Sequence, residues 1–414
     1  MSFAQAIAHP TMPLGHVARV LTSGVDKKSH DGESPVRLCN YTDIYYNDRI
    51  TADMAFMEAT ATEAEIERFT LLPGDVVITK DSETADDIAI PALVVEDLGG
   101  VVLGYHNALV RPDTTTVDPR FLFWTLMARQ SAGFFETKAR GVTRVGLRAD
   151  DIATLPVPVP SLEVQRRVAD VLDAETARMD TLIDRTRRAS RLLDLRARGR
   201  REELIVEHEV APLRYYVRSL TQGSSPNVGD VTAANDEPGL LRLSALRPGE
   251  YRPEHSKAVV GEDADRVAHL VPAREGMVLV SRANTPDRVG DACLVDDEPV
   301  GGRFVPDLMF ALVTNVQLDP AFLTAALTTR FLRGQMEAVA RGSSPSMVKL
   351  RQDDVLSLAV PMPALQEQRS IVDELCGHGR GIREVDTRIA RQQELLRTRR
   401  QALITAAVTG QINV

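Results

Sequence analysis

The stretch LPVPVPSLEVQRRVADVL, residues 155–172, has a near copy in LAVPMPALQEQRSIVDEL, residues 358–375. In this pair Gln165 corresponds to Gln368, an offset (368 − 165) of 203 in a chain of 414 residues. A repeat at about half the chain length predicts two similar units in one polypeptide rather than a solenoid of short repeats.

Further matches keep the same order in both halves of the chain. PLGHVARVLTSG from Pro13 matches PLRYYVRSLTQG from Pro212, GDVVITK from Gly74 matches GMVLVSR from Gly276, and DPRFL from Asp118 matches DPAFL from Asp319. Within each copy, β-branched runs such as DVVIT and MVLVS predict short buried strands, and the segments that begin with DP have helical apolar spacing. We therefore predict an α+β fold with two similar globular domains and an internal pseudo-two-fold repeat.

After each proline-rich strand comes a long segment with the apolar spacing of a coiled-coil seam. We predict two long helices that pair with each other within the chain. Gly377, Gly379 and Gly381 interrupt the second seam and predict a weak or bent turn there. The first segment is four residues longer, about one helical turn or roughly 6 Å. The predicted seam residues are Val168, Val171, Met179, Leu182, Ile371, Leu375, Ile382, Val385, Ile389 and Leu396, with His378 as a packed polar residue.

These patterns divide the chain into four predicted segments. Residues 1–160 form the first globular domain and 209–363 the second. Residues 161–208 form the central long helix, and 364–414 form the C-terminal long helix and tail.

Composition excludes several classes of protein. The three cysteines lie far apart without a CxxC pair, and the eight histidines lack metal spacing. This predicts a reducing compartment and no metal site. No apolar run is long enough to span a bilayer, and the first residues do not resemble a signal peptide, so we expect a cytoplasmic protein. The net charge of −9 argues against general nucleic-acid binding, so any DNA contact requires local basic surface.

The order of these elements resembles the specificity subunit of Type I restriction-modification systems over essentially the whole chain. The resemblance depends on the doubled proline-containing strand, the Gln-Arg start of each helix, and the ending LRTRRQALITAAVTGQINV. Glu367-Gln368-Arg369 fits the family pattern fully, whereas Val164 replaces the glutamate before Gln165.

The resemblance implies two target recognition domains that each read one half of a bipartite DNA site, and two long helices packed antiparallel as a spacer. It implies a chain without catalysis of its own, whose helices dock two modification subunits that methylate adenine. Restriction subunits join the full complex. S-adenosylmethionine, ATP and Mg²⁺ are then expected on the partner subunits, and this chain binds none of them. Because the two domains differ extensively between their shared landmarks, we expect an asymmetric recognition sequence.

Candidate DNA contacts lie in two regions of each copy. One is the loop RGVTR, residues 140–144, with its counterpart RGSSPS, residues 341–346, and the other is the end of the buried strand. The alternative for the loops is a helix C-cap with Gly141 or Gly342 in the left-handed region. Tyr41, Tyr45, Tyr46 and Asn47 could face bases or form a half-buried core edge. The candidate contact residues are Lys80, Arg140, Thr143, Arg144, Arg282, Arg341, Ser343 and Ser344.

Two other functions are compatible with parts of the sequence. The acidic balance suits a coiled-coil scaffold or regulator of such a complex that does not read DNA. Pro112-Asp113 with Glu136-Thr137-Lys138 matches the PD…ExK pattern of metal-dependent nucleases, but Glu136 and Lys138 fall in a helical segment, and the second copy has no such lysine. The chain contains neither a P-loop nor an amino-methyltransferase tetrapeptide.

Overall fold

The computed structural model describes residues 9–226, 228–259, 269–344 and 347–412, with the side chains of residues 343 and 344 outside the description. The chain divides into two compact units. Unit 1 comprises Met1–Thr186 and Ala390–Val414, and unit 2 comprises Arg187–Ile389.

Unit 1 begins with a mixed arrangement of short strands and helices. The strands are β1 Thr11–Pro13, β2 Ala18–Thr22, β3 Ser34–Cys39, β4 Arg49–Ile50, β5 Met57–Ala61, β6 Val76–Thr79, β7 Asp81–Ser82, β8 Pro91–Val94, β9 Val101–Leu103, β10 Asn107–Pro112, β11 Val145–Gly146 and β12 Pro156–Pro158. The helices are α1 Leu14–Val17, α2 Tyr41–Tyr45, α3 Glu63–Phe69, α4 Pro119–Met127, α5 Arg129–Lys138 and α6 Ala149–Ala153, followed by the long α7 Leu162–Val206.

Unit 2 repeats this order with local differences. Its strands are β13 Val210–Pro212, β14 Val217–Gln222, β15 Gly239–Leu241, β16 Leu246–Arg247, β17 Glu250–Tyr251, β18 Ser256–Ala258, β19 Val278–Ser281, β20 Ala283–Asn284, β21 Ala292–Leu294, β22 Arg303–Phe304, β23 Met309–Thr314, β24 Arg341–Ser344, β25 Met347–Lys349 and β26 Ala359–Pro361. Its helices are α8 Pro320–Leu327, α9 Arg330–Val339 and α10 Gln352–Leu356, and the long α11 Leu365–Val408 follows.

The main sheets of the two units share the order of four strands, and unit 1 has β4 as a fifth strand. Unit 1 has β2-β10-β6-β8-β4, and unit 2 has β14-β23-β19-β21. Each unit also has a three-stranded sheet, β5-β3-β9 or β18-β15-β22, whose central strand pairs antiparallel on one side and parallel on the other. Strands β6 and β19, which correspond to VVIT and VLVS, are buried throughout. The predicted α+β fold with an internal duplication is confirmed.

The proline-rich strands close each globular part. Strand β12 pairs antiparallel with β1, and β26 pairs in the same way with β13. Each ladder has only two strands, an arrangement that tolerates proline because a proline nitrogen can face away from the ladder. The chain therefore leaves each globular part beside the point where it entered, directly before a long helix.

A buried glutamine attaches α7 to unit 1. Gln165 is fully buried, and its side-chain oxygen accepts a 2.8 Å hydrogen bond from the backbone N–H of Asp118. Its side-chain nitrogen donates to the carbonyl oxygens of Thr116 at 3.1 Å and Pro160 at 2.8 Å. Asp118 in turn caps α4, because its carboxylate accepts from the first backbone N–H groups of that helix.

The same bonds recur where α11 begins in unit 2. The fully buried Gln368 accepts from the backbone N–H of Asp319 at 2.8 Å and donates to the carbonyl oxygens of Gln317 at 3.0 Å and Pro363 at 2.9 Å. The neighbouring Arg369 is largely exposed and lies 3.8 Å from the Asp319 carboxylate. The glutamine therefore accounts for the repeated Gln-Arg pair, and its role is to anchor the helix.

Each unit holds the beginning of one long helix and the end of the other. In unit 1 the core combines Val168, Ala169 and Leu172 of α7 with Ile404 and Ala407 of α11. In unit 2, Ile205 near the end of α7 and Ile371 near the start of α11 share a core. The helices therefore run antiparallel within each unit.

The seam on α7 differs in register from the prediction. Val168 and Met179 are buried, but Val171 is only half-buried and Leu182 is 41% exposed. Leu172, Thr176 and Ile183, each next to a predicted or intervening seam position, are buried instead. The predicted seam includes Val171 and Leu182, whereas the helix buries the polar Thr176 and the apolar residues in register with it.

The seam on α11 differs in the same way. Ile371 is buried, and Leu375, Ile382, Ile389 and Leu396 are half-buried. Val385 is 38% exposed, and the half-buried seam position is the next residue, Asp386.

Polar pairs explain this register. In unit 2 the Ser190 hydroxyl donates to Asp386 at 2.6 Å, and in unit 1 Gln393 donates to Thr186 at 2.9 Å. Arg200 also pairs with Glu374 at 2.7 Å in unit 2. Polar residues thus occupy seam positions that an apolar pattern assigns to their neighbours.

Helix α11 is one unbroken helix through Gly377, Gly379 and Gly381, so the glycines do not end it. The weak or bent turn at these glycines stays a prediction. One expectation about this helix is wrong. His378 is exposed rather than packed on the seam. Among the described residues, no helix combines the length and apolar character that crossing a bilayer requires.

Candidate nucleic-acid interface

The loop RGVTR forms a tight hairpin in unit 1. Arg140 and Gly146 exchange backbone hydrogen bonds of 3.1 and 2.9 Å, and the residues between Gly141 and Arg144 are exposed. Gly141 has φ of 142°, and a Cβ there would lie 1.9 Å from the Arg144 carbonyl oxygen. The C-cap of α5 is Ala139, with φ of −59°. The glycine therefore serves the hairpin and not a helix cap.

Unit 2 has a related hairpin made by β24 and β25. Here Arg341 pairs with Lys349, a span (349 − 341) of eight residues against six (146 − 140) in unit 1. A Cβ on Gly342 would lie 2.4 Å from the Met347 carbonyl oxygen, and the cap of α9 is Ala340. Ser343 and Ser344 have described backbone in β24, but their side chains, like residues 345 and 346, lie outside the described part of the chain.

In both units the hairpin pairs with the segment that follows the buried strand. In unit 1, β11 pairs with β7, and the Leu147 N–H donates to the Lys80 carbonyl at 2.8 Å. In unit 2, β25 pairs with β20, and the Leu350 N–H donates to the Arg282 carbonyl, also at 2.8 Å. The two candidate regions therefore meet in each unit, and we call this place the hairpin–strand site.

Lys80 and Arg282 are both partly withdrawn from solvent. The Lys80 ammonium lies 2.7 Å from the Asp81 carboxylate, and its side chain is 19% exposed. Arg282 is half-buried, and its guanidinium donates to the Asp307 carbonyl at 3.5 Å. The charge of Lys80 is thus neutralised within the unit, which weakens it as a phosphate contact.

Asp81 connects Lys80 to a histidine and an arginine. Its carboxylate also accepts a 2.6 Å hydrogen bond from Nδ1 of His106. Burial raises the pKa of Asp81, but hydrogen bonds from Lys80 and His106 outweigh this and hold that pKa below its ordinary value. On the other side of the ring, Arg144 donates to Nε2 of His106 at 3.2 Å. Both contacts are satisfied together when the imidazole is neutral with its proton on Nδ1.

The remaining hairpin residues are more open. Arg140 is 66% exposed and lies 3.5 Å from the Asp151 carboxylate, a distance typical of a weak surface pair. Thr143 and Arg341 are exposed. These residues are accessible to a ligand approaching the hairpins.

The tyrosines line a cleft of about 670 Å³ that also contains Asp81, His106 and Arg144. Tyr41 stacks on Tyr45 with ring centroids 5.4 Å apart, and the Tyr45 hydroxyl donates to Asp87 at 2.8 Å. Tyr46 is 75% exposed, whereas Asn47 donates to the Asp43 carbonyl at the end of α2. Burial raises the pKa of Tyr41, which stays protonated and able to donate a hydrogen bond.

The hairpin–strand sites of the two units make the same backbone pairings but carry different side chains, and the unit 2 hairpin is two residues longer. Lys80 N–H donates to the His106 carbonyl at 2.8 Å, and Arg282 N–H donates to the Leu308 carbonyl at the same distance. His106 therefore corresponds to Leu308. When the strand pairings of the two units are superposed, Asp81 corresponds to Ala283 and Arg144 corresponds to Met347. Three polar or charged side chains in unit 1 thus correspond to three apolar side chains in unit 2.

The sequence argument missed Asp81 and His106. They are 25 residues apart in the chain, and the ends of β6 and β10 bring them together. Comparing the two copies at an offset of 202 places His106 against Leu308 and Asp81 against Ala283, and this difference is the signal that could have found them.

The nuclease pattern does not form a metal site among the described residues. Glu136 and Lys138 lie on helix α5, and the Asp113 carboxylate accepts from the backbone N–H of Thr115 in a turn. No group of three or more potential metal ligands occurs in the part of the chain that the structure describes. This arrangement lacks the strand that the nuclease geometry requires.

No family model matches the chain. Over 176 residues, 42% of this chain and 29% of the relative, it is 22% identical to the Type I restriction enzyme EcoEI specificity subunit of Escherichia coli. Over 165 residues, 38% of this chain and 35% of the relative, it is 22% identical to the Type I restriction enzyme HindI specificity subunit of Haemophilus influenzae. The matches thus span about a third of these curated relatives.

Two solved structures are similar over nearly the whole chain. One, described as the structural basis of complex assembly and conformational transition of the type I R-M system, has a TM-score of 0.70 at 18% identity and covers 97% of this chain and 98% of its own. The HsdS subunit from Thermoanaerobacter tengcongensis has a TM-score of 0.51 at 17% identity, with 97% of both chains covered. The chain therefore has the fold of the specificity subunits of Type I restriction-modification systems.

Proposed function

We propose that the chain is the DNA sequence-recognition subunit of a Type I restriction-modification complex, in which each unit reads one half of a bipartite, asymmetric site. The observation that supports this most is the hairpin–strand site, which recurs on matching backbone in both units with different side chains. Recognition of two unlike half-sites requires a common scaffold with variable contacts.

Local charge supports DNA contact despite the net charge of −9. The unit 1 hairpin exposes Arg140 and Arg144 within five residues, and Arg341 is exposed on the unit 2 hairpin. A few arginines at exposed hairpins are sufficient for base contacts, while bound partners can supply most phosphate contacts.

The long helices are the proposed docking surface for two modification subunits. Leu192 and Leu195 of α7 and Leu395 of α11 are more than half exposed, which is unusual for leucine on a solvated helix. Restriction subunits join the full complex. In this proposal the chain is not catalytic and works in the cytoplasm, and S-adenosylmethionine, ATP and Mg²⁺ bind to the partner subunits.

The helices are also the proposed spacer between half-sites. From the anchor Gln165 to Glu202, which accepts from the first N–H groups of α9, α7 has 37 residues (202 − 165). From Gln368 to Gln401, which donates to the Met127 carbonyl, α11 has 33 (401 − 368). Deleting four residues of α7 between these anchors should change the gap between half-sites or abolish binding. An unchanged site bound at full affinity would contradict the spacer role.

The decisive experiment is to express the full chain with Type I modification subunits and map methylated adenines in the host genome. We expect methylation at one bipartite, non-palindromic motif that is lost when the chain is omitted. The second candidate, a scaffold without DNA reading, is favoured by the acidic composition. It predicts a stable complex whose DNA binding shows no preference for any sequence, and that result would overturn the proposal.

A further inference from the structure

We propose that Arg144 reads a guanine edge in the half-site bound by unit 1, and that His106 and Asp81 are positioning residues that hold its guanidinium. This proposal rests on the proposed function and adds the chemistry of one base contact. It assigns a specificity-determining role to three residues of the hairpin–strand site.

Arg144 has the exposure and the free donors that base reading requires. It lies on the exposed hairpin and donates to Nε2 of His106 at 3.2 Å. Among the described residues, no carboxylate lies within 4.0 Å of its guanidinium. Since a guanidinium has five N–H donors, several remain for a ligand. Paired donors of this kind match O6 and N7 of guanine in the major groove.

His106 and Asp81 set the orientation of Arg144, because His106 contacts the guanidinium and Asp81 contacts His106. Lys80 and His106 both contact the Asp81 carboxylate, at 2.7 and 2.6 Å, so that this carboxylate is held from two sides. His106 has φ of 71°, a left-handed conformation that is uncommon for a residue with a side chain. Strained backbone of this kind is concentrated at functional sites. A held guanidinium loses less conformational freedom when it binds.

The charges of the cleft favour a base edge over a phosphate. The cleft of Arg144 is lined by one further cation, Lys27, and by three carboxylates, those of Asp81, Glu83 and Asp87. These carboxylates repel a phosphate group but not a neutral base. The major-groove edge of a G·C pair also presents the cytosine amino group, which donates to carboxylates. Arg144 beside acidic side chains therefore complements a G·C pair.

Unit 2 provides a natural control for this set. At the corresponding positions it has Ala283, Leu308 and Met347, which offer neither a charge nor a hydrogen-bond donor in their side chains. A guanine contact of the same kind cannot form there. His106 has a left-handed backbone that Leu308 lacks, so the effect of His106→Leu is compared with that of His106→Gln, which meets the same backbone.

The test uses the full chain assembled with modification subunits and a DNA library randomised in both half-sites. Arg144→Met should reduce the preference for guanine at one position of one half-site roughly ten- to a hundred-fold. Preferences in the other half-site should not change, and this shows that the complex is folded and active. Arg140→Met removes a positive charge from the same hairpin and is the matched control. It should weaken binding evenly across sequences.

The positioning role requires a separate readout. His106→Leu should reduce the same guanine preference, whereas His106→Gln, which keeps one donor and one acceptor, should restore most of it. In the Arg144→Met background, His106→Leu should have no further effect on base preference. A purely structural role for His106 predicts that His106→Leu reduces base preference in both backgrounds and that His106→Gln does not restore it.

The outcomes separate the two proposals. If the wild-type complex prefers no sequence, the proposed function fails and this inference fails with it. If the wild type reads a bipartite motif and Arg144→Met leaves every preference intact, or changes a base other than guanine, the function stands and this inference is overturned.

Discussion

The two units make identical hydrogen bonds at the start of their long helices and have different side chains at their hairpin–strand sites. Gln165 and Gln368 accept and donate the same three bonds, whereas His106 and Arg144 correspond to Leu308 and Met347. The side chains of a recognition surface can vary between two copies without loss of the fold only if other residues stabilise the scaffold. In this chain the two sets do not overlap.

The difference between scaffold residues and recognition residues is tested most severely by removing one of the two glutamines that anchor the long helices. Gln165→Ala leaves the Asp118 N–H and two carbonyls without partners in a buried place, so we expect unit 1 to lose about 3 kcal/mol of unfolding free energy. The single tryptophan, Trp124, is buried in unit 1, so its fluorescence during urea unfolding reports on this unit.

Two matched variants sharpen this measurement. Arg166→Ala removes an exposed neighbour and should change stability by less than about 0.5 kcal/mol. Gln368→Ala should destabilise unit 2, measured by hydrogen exchange of its peptides. If Gln165→Ala and Arg166→Ala had equal effects, the glutamine would not be the anchor.

The second prediction concerns the register of the seam in unit 1. Ile183 is 7% exposed and Leu182 is 41% exposed. Ile183→Ala should therefore cost about 2 kcal/mol, and Leu182→Ala less than about 1 kcal/mol, in the same fluorescence assay. A larger effect at Leu182 would restore the register expected from the sequence.

The third prediction compares two glycines, each in the turn that precedes a buried strand, β6 or β19. Gly74 and Gly276 have φ of 91° and 82°, so alanine costs about 1–2 kcal/mol at either position. A Cβ on Gly74 would also meet Pro119 at 3.2 Å, whereas a Cβ on Gly276 would have no atom of the described residues within 4 Å. Gly74→Ala should thus be the more destabilising of the two by thermal unfolding of each variant. Equal losses would show that Pro119 moves aside.

The smallest expected effect is at the polar pairs of the seam. Ser190→Ala removes the hydrogen bond to Asp386 in unit 2, and Thr186→Ala removes the acceptor of Gln393 in unit 1. Each should cost about 0.5–1 kcal/mol, measured by local hydrogen exchange along α7. Stabilisation by either substitution would indicate that the pair serves specificity of pairing and not stability.

The sequence was sufficient for the architecture because the residues that define it are local and repeated. Asp118 with its following proline caps α4, and Gln165 anchors the first turns of α7. Both features recur at the same place in the second copy. Apolar runs also predicted the buried strands β6 and β19, since a short β-branched run has few alternatives.

The site could be predicted only in part, because it depends on contacts between distant segments. Arg144 and Lys80 were candidates from their charge, but the hydrogen bond of Arg144 to His106 joins residues that are 38 apart in the chain. His106 reaches the cleft from the start of β10, and its position follows from sheet pairing and not from local sequence. The seam register likewise depended on Asp386 and Thr176, which an apolar pattern passes over.

Unit 1 contains residues from before and after unit 2, and this affects how the polypeptide folds as it is synthesised. Unit 2 is one continuous stretch of chain, but the core of unit 1 includes Ile404, Ala407 and Val408, which are synthesised after all of unit 2. Unit 1 therefore cannot complete its core until unit 2 has been made, although domains usually fold in the order in which they emerge. A product interrupted between unit 2 and Ile404 would carry a finished unit 2 and an unfinished unit 1.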